Sequence, residues 1–194
     1  MNDFRITTGI SLAGGFNIIY PALLQNFDSD QTESSNDNFQ RPFHDIKQKK
    51  LSIVLADDDE DDRDLFKEAI HELAIKPNLE MAKDGKALIE LLNRIEELPD
   101  IIFLDLNMPH KSGKECLVEI RNNARLKNIP VIIYSTSSSP TDIEETYGLG
   151  ANLYVKKPSS FTELTAYLNK LLTMDWNKCK PHSSRNRYFF MPKK

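Results

Sequence analysis

Cysteine is nearly absent: Cys116 and Cys179 are the only 2 in 194 residues. Two cysteines make no disulfide framework, and no Cys/His cluster has the spacing of zinc ligands. A reducing compartment, the cytoplasm, is the expectation. Long apolar runs are missing too. The most apolar stretch near the N-terminus, residues 10–24, is broken by Gly14, Gly15, Asn17 and Pro21, which makes it too short and interrupted to span a bilayer. It is also a poor signal peptide, because Arg5 stands against Asp3 and no small-x-small cleavage site follows. Nor is there an excess of positive charge. The formal net charge of -4 argues against a chain that binds nucleic acid electrostatically. Neither a membrane nor a nucleic acid is expected as a partner.

Residues 1–49 contain the polar run 28–38, which cannot bury enough apolar surface to offset its ordering entropy. They are expected to form a disordered or weakly ordered extension. From Leu51 the pattern changes to short apolar runs alternating with helical periodicity. The runs are 51–56, 79–82, 101–104, 131–134 and 152–155. Between and after them, apolar residues recur at helical spacing: Leu65, Phe66, Ala69, Ile70 and Leu73; Leu88, Leu91, Leu92, Ile95 and Leu98; Cys116, Leu117 and Ile120; and Phe161, Leu164, Leu168, Leu171 and Leu172. Another short acidic helix fills 140–149. Short apolar strands joined by crossover helices imply a parallel sheet covered on both faces. Right-handed crossovers make it doubly wound: an α/β domain of five strands and five helices over residues 50–176. Residues 177–194 carry Lys178, Lys180, Arg185, Arg187, Lys193 and Lys194 and are expected to be a solvated basic tail.

The centre of the chain is Ile101-Ile102-Phe103-Leu104-Asp105-Leu106-Asn107-Met108-Pro109. Four apolar residues form a strand buried on both faces, and Asn107 with Met108-Pro109 breaks it, so Asp105 stands at its carboxyl end. A lone Asp there is better explained by a solvated strand cap. The other strand ends change the balance. The first ends in Asp57-Asp58, the fourth in Ser135, the fifth in Lys157. In a parallel sheet these ends share one edge, and strands lie about 4.8 Å apart, so the side chains converge. Carboxylates gathered this way repel unless a cation holds them, and a set of oxygen ligands alone selects a hard ion such as Mg²⁺. A hydroxyl and an ammonium complete a site suited to a phosphoryl group, with one carboxylate as nucleophile. The competing structural account of residues 57–64 is a helix N-terminus, where negative charge is favoured.

Leu55-Ala56-Asp57-Asp58, Leu104-Asp105-Leu106-Asn107-Met108-Pro109, Ile133-Tyr134-Ser135-Thr136 and Tyr154-Val155-Lys156-Lys157-Pro158 resemble the motifs of the receiver domain of two-component response regulators, and Asp84-Gly85 and Gly150-Ala151 match in place. The resemblance covers residues 51–176 and implies a flavodoxin-like receiver fold. It implies Asp105 as phosphoacceptor, with Mg²⁺ held by Asp57, Asp58, Asp105 and the carbonyl of Asn107. Lys157 and Ser135 would bind phosphoryl oxygens. Ser135 and Tyr154 would act as the switch pair, and Lys157-Pro158 would be a cis peptide bond. Asn107 and Ser137, both small, would leave the phosphoryl group open to water and its lifetime in minutes.

The implied partner is a sensor histidine kinase or a histidine phosphotransfer protein. No DNA-binding or catalytic segment is recognised after Trp176, so the expected output is protein contact or phosphorelay. One such contact would be a homodimer through the fourth helix, fifth strand and fifth helix. The alternative is a Mg²⁺-dependent phosphatase or phosphotransferase with Asp105 as nucleophile. Haloacid-dehalogenase-type enzymes need a second Asp two residues after the nucleophile as general acid. Here Asn107 occupies that place.

Overall fold

The computed structural model describes residues 50–182 and 185–190. The expectation for residues 1–49 and the end of the tail, 191–194, lie outside them. The five expected strands form: β1 (Ser52–Ala56), β2 (Asn78–Ala82), β3 (Ile101–Leu104), β4 (Val131–Ser135) and β5 (Leu153–Lys156). They alternate with α1 (Glu60–Glu72), α2 (Gly85–Arg94), α3 (Gly113–Asn122), α4 (Pro140–Gly148) and α5 (Phe161–Leu172). All strand pairs are parallel, and the order across the sheet begins β2-β1-β3-β4-β5. The chain steps from β1 outward to β2, then returns to β3 on the other side of β1. That reversal is a topological switch point, where a crevice opens at the carboxyl ends of the strands.

Period-two alternation divides the core. Ile53, Leu55, Ile101, Phe103, Ile132 and Tyr134 pack with Phe66 and Ile70 of α1 and Leu164 and Leu168 of α5. Val54, Ala56, Ile102, Leu104, Val131 and Ile133 pack with Leu88 and Leu92 of α2 and Leu117 and Ile120 of α3. Burying each large side chain contributes roughly 1.5–3 kcal/mol, which is why continuous apolar runs are read as central strands. Cys116 belongs to the second layer, and burial pushes its thiol up to about 11. It is a small apolar filler, not a nucleophile. Among the described residues no helix is long and apolar enough to cross a membrane.

Two features differ from expectation. The helical periodicity through Ile95 and Leu98 does not extend α2, which ends at Arg94 with Ile95 extended (φ -68°, ψ 136°). Arg125 donates to the carbonyls of Leu92 and Glu96 at 3.1 Å each and also to that of Ile95. It thereby satisfies carbonyls that a longer helix would have used, and Ile95 and Leu98 pack on the core from outside the helix. The tail is not merely solvated either. After a 3-10 turn at Trp176–Lys178 come α6 (Arg185–Tyr188) and β6 (Phe189–Phe190), a sixth parallel strand on the β5 edge. Counting its charges passed over three consecutive aromatics, Tyr188, Phe189 and Phe190.

The loop carrying the β3 end is held by close backbone approach. Gly113 N donates to Leu106 O at 3.0 Å, and a Cβ at Gly113 would lie 2.0 Å from the carbonyl oxygen of Asp105. Backbone cannot yield to it as a flexible side chain would. Gly113→Ala is expected to lower stability by about 1–3 kcal/mol, the range for overpacking, read as a lower urea midpoint. Gly148→Ala is the control. Its Cβ would meet nothing within 4 Å, and it should hold or gain up to about 1 kcal/mol.

Candidate functional site

Strand register alone assembles the site. Ala56 lies opposite Leu104, so Asp57 and Asp105 are the next residues of neighbouring strands. Asp105 N donates to Ala56 O at 2.9 Å and Asp57 N to Ala82 O at 3.1 Å, which carries the ladder one step past each strand. On the far side, Ser135 lies opposite Lys156, and Lys157 N donates to Ser135 O at 2.8 Å. The turn into α1 is fixed by Asp59, the N-cap, whose side chain accepts from Asp61 N at 2.9 Å and Asp62 N at 3.2 Å. Arg63 braces the same turn by donating to the Asp57 carbonyl at 2.9 Å.

The structure brings Asp57, Asp58 and Asp105 together, with one carboxylate oxygen from each within 4.8 Å of the others. Asp57 is fully buried and Asp105 is 6% exposed, while Asp58 faces solvent. Lys157 Nζ lies 2.7 Å from Asp57 Oδ2 and 3.9 Å from Asp105 Oδ2. It sits 5.6 Å from the centre of the Tyr134 ring. That ring belongs to an edge-to-face cluster with Phe66 and Phe103, which forms an apolar floor under the charges. Ser135 is fully buried, and its hydroxyl oxygen accepts from Ser137 N at 3.3 Å. Asn107 is exposed at the mouth, next in chain to the buried Leu106 and Met108.

Burial raises the carboxyl pKa of Asp57 and of Asp105, and Lys157 only partly offsets it. Burial also works against the Lys157 charge, but hydrogen bonds to Asp57 and Asp62 and the nearby Asp105 outweigh it and hold the ammonium above its ordinary range. Asp105 Oδ1 is buried with no hydrogen-bond partner. A buried carboxylate oxygen left so is costly unless a cation or donor meets it. With three carboxylates converging on it, the donor set suits a hard divalent ion, and a thiolate-loving metal has nothing to bind.

One expected feature is corrected. No peptide bond among the described residues is cis, so Lys157-Pro158 is trans. Trans is the preferred X-Pro form by about 0.5–1 kcal/mol. It already lets Lys157 pair with Ser135 through its backbone and reach Asp57 with its side chain. A second point concerns Tyr154, expected as one member of the switch pair. It is already inward and fully buried, and its hydroxyl donates to Ser137 O at 3.0 Å. Asp62 was missed. Its carboxylate accepts from Lys157 Nζ at 2.7 Å across 95 residues of chain. One signal was available: Asp62 stands in the acidic first turn of α1, just after the β1 end that carries Asp57 and Asp58.

The model of the response regulator receiver domain matches residues 53–169. The chain belongs to the response regulator receiver family. Response regulator Rcp1 of Synechocystis is 35% identical over 117 residues, which cover 58% of this chain and 80% of Rcp1. The probable methanogenesis regulatory protein FilR2 of Methanothrix harundinacea is 32% identical over 132 residues, 65% of this chain and 85% of FilR2. Among solved structures, the phosphorylated cyanobacterial phytochrome response regulator RcpA superposes with TM-score 0.59 at 32% identity, over 62% of this chain and 90% of RcpA. The Mn²⁺-bound form of Rcp1 gives TM-score 0.58 at 29% identity, over 69% and 96%. The five-stranded receiver fold expected from the motifs is therefore the fold present, and the receiver match ends before the tail that supplies β6.

A receiver with this carboxylate set should be stabilised by Mg²⁺. Ligand carboxylates must be deprotonated to bind, and the raised pKa values of Asp57 and Asp105 let protons compete from above the ordinary carboxylate range. Millimolar Mg²⁺ at pH 7 is expected to raise the melting temperature by a few degrees, about 1–2 kcal/mol. The gain should shrink steadily as pH falls toward the carboxylate range, because falling pH protonates the ligands. Scanning calorimetry with Mg²⁺ against EDTA at several pH values checks this. A gain that grew toward acid pH would place the ion elsewhere.

Proposed function

We propose that the chain is a signalling receiver in which Asp105 accepts a phosphoryl group from a phosphohistidine on a sensor kinase or a histidine phosphotransfer protein. The observation that carries this is the unpartnered Oδ1 of buried Asp105 at the switch-point crevice, with Lys157 and Ser135 close by. Asp105 attacks phosphorus, the P–N bond to the donor imidazole breaks, and the imidazole leaves with the electron pair and takes up a proton. The product is an acyl phosphate. Mg²⁺, held by Asp57, Asp58, Asp105 and the Asn107 carbonyl, would supply positive charge to the phosphoryl oxygens during transfer. The donor set and the Mn²⁺-bound form of Rcp1 support a divalent ion. Lys157 pairs with one phosphoryl oxygen and must loosen its hold on Asp57 and Asp62 to do so. Ser135 donates to another.

Asn107 is exposed at the mouth of the site, and Ser137 is small. Neither shields the phosphoryl group from water, and a lifetime of minutes follows. Output passes by protein contact, to the kinase, to a relay partner, or to a second copy through α4, β5 and α5. The enzyme alternative would turn over many phosphates per chain. This receiver holds about one at a time and releases it only over minutes, because no acid like that of the haloacid-dehalogenase-type enzymes follows Asp105 at position 107.

Asp105→Asn keeps the shape and loses the nucleophile. Incubated with acetyl phosphate and Mg²⁺, the wild type is expected to gain about one hydroxylamine-sensitive phosphate per chain and Asp105→Asn none. Asp58→Ala should slow labelling at least about tenfold by loosening the metal, the scale on which a site's own metal contacts act. Wild-type labelling of Asp105→Asn, or phosphate release by the wild type much faster than a phosphoryl lifetime of minutes allows, refutes the assignment.

A further inference from the structure

The C-terminal tail lies outside the part of the chain that matches the receiver family, yet it is seated against the receiver's own switch residue. β6 pairs with β5, Phe189 opposite Tyr154 and Phe190 opposite Val155. Tyr188 is 3% exposed, packed edge-on against Tyr147 at 5.1 Å and Tyr154 at 6.3 Å between ring centres. Its hydroxyl lies 2.7 Å from Thr146 Oγ1, itself fully buried. The Phe189 ring lies 5.7 Å from that of Tyr154. Polar ties secure the stretch leading there. Asn152 Nδ2 donates to Cys179 O at 2.6 Å, the Tyr147 hydroxyl donates to His182 O at 3.2 Å, and Arg185 pairs with Glu144.

These contacts run on to the phosphoacceptor. Tyr154 donates its hydroxyl to Ser137 O, and Ser137 N donates to Ser135 Oγ, whose hydroxyl bears on Asp105. Tyr188, Tyr154, Ser137 and Ser135 therefore form one line from the tail to the site. With Tyr188 and Phe189 over its ring, Tyr154 cannot swing outward without displacing them.

We propose that the tail, through residues 179–182 and 185–190, is a built-in ligand of the α4–β5 face which holds Tyr154 inward and so couples tail docking to charge at Asp105. This rests on Asp105 being the phosphoacceptor. An open strand edge invites pairing with another chain, and this tail occupies it. A two-residue strand contributes little ladder, so the aromatic burial of Tyr188 does most of the holding and the tail remains displaceable. A phosphoryl group draws Ser135 toward Asp105, and an inward Tyr154 fills the space behind it. The docked tail keeps the ring there in advance. Tail docking and phosphoryl binding thus favour each other, by the same factor in both directions. A partner that needs the β5 edge must first lift the tail.

The test uses full-length protein, Mg²⁺ and beryllofluoride as the phosphoryl mimic. Tyr188→Ala is expected to weaken beryllofluoride binding by about fivefold or more, the lower range of such couplings. Tyr188→Phe, which keeps the ring, should stay within about twofold. Reciprocally, beryllofluoride should slow amide exchange at Phe189 and Phe190 in the wild type, and this measurement decides the matter even if Tyr188→Ala fails to fold. Equal or tighter binding by Tyr188→Ala, or tail exchange indifferent to beryllofluoride, overturns the coupling alone. A wild type that takes no beryllofluoride overturns the Asp105 assignment and the coupling with it. Tail protection that falls on dilution assigns the strand to a second copy and overturns the intramolecular cap.

Discussion

Asp57 and Asp105 end neighbouring strands, both buried, with carboxylate oxygens within 4.8 Å of each other and of Asp58. Two such charges repel by about 3 kcal/mol at an effective dielectric near 20. Lys157 answers that repulsion. Its ammonium is brought from the last strand to within 2.7 Å of Asp57 and 3.9 Å of Asp105. It is shared with Asp62, so it is not spent on Asp105. Asp105 keeps an oxygen without a partner. A site in which every charge was matched would be more stable and would have nothing left to react. The fold maintains the mismatch by pinning each backbone: Asp57 to β2, Asp105 to β1, Lys157 to β4.

How much of this can be seen in the residues themselves depends on how local the cause is. The strands are visible because burial on both faces demands runs such as 101–104 and 131–134. The convergence of Asp57, Asp105, Ser135 and Lys157 is visible because parallel strands share an edge, so strand order need not be known in detail. Asp62 was hidden because its partner lies 95 residues away, and in a cluster of acids at a helix start it looks like one more contribution to the dipole. The α2 end was misjudged because Arg125, from another segment, supplies the donors that stop it. The trans Lys157-Pro158 bond corrects an inference drawn from resemblance alone.

The tail shows the same limit from the other side. Its charges are local and easy to count, and they suggested solvation. Its aromatics matter only through what they meet: Tyr147 and Tyr154 on the receiver and the buried hydroxyl of Thr146. A run of Tyr-Phe-Phe has strand propensity, yet propensity alone cannot say which edge is open. The sheet order does, since β5 would otherwise be an edge strand.

Rigidity and mobility are divided along the same lines. β1, β3 and β4 lie in the sheet interior, their apolar side chains almost all without exposure, and a packed core of this kind has few alternative arrangements. A change at Asp105 therefore cannot be relieved by moving β3. It must pass to the strand ends and to the layer beyond β4, where Ser135, Ser137 and Tyr154 are joined by single hydrogen bonds. The outermost element on that path is held by a two-residue strand and a buried Tyr188. An electrostatic mismatch at the centre, a stiff sheet around it and a weakly held edge at the end of one line of contacts together give a local charge somewhere definite to be read.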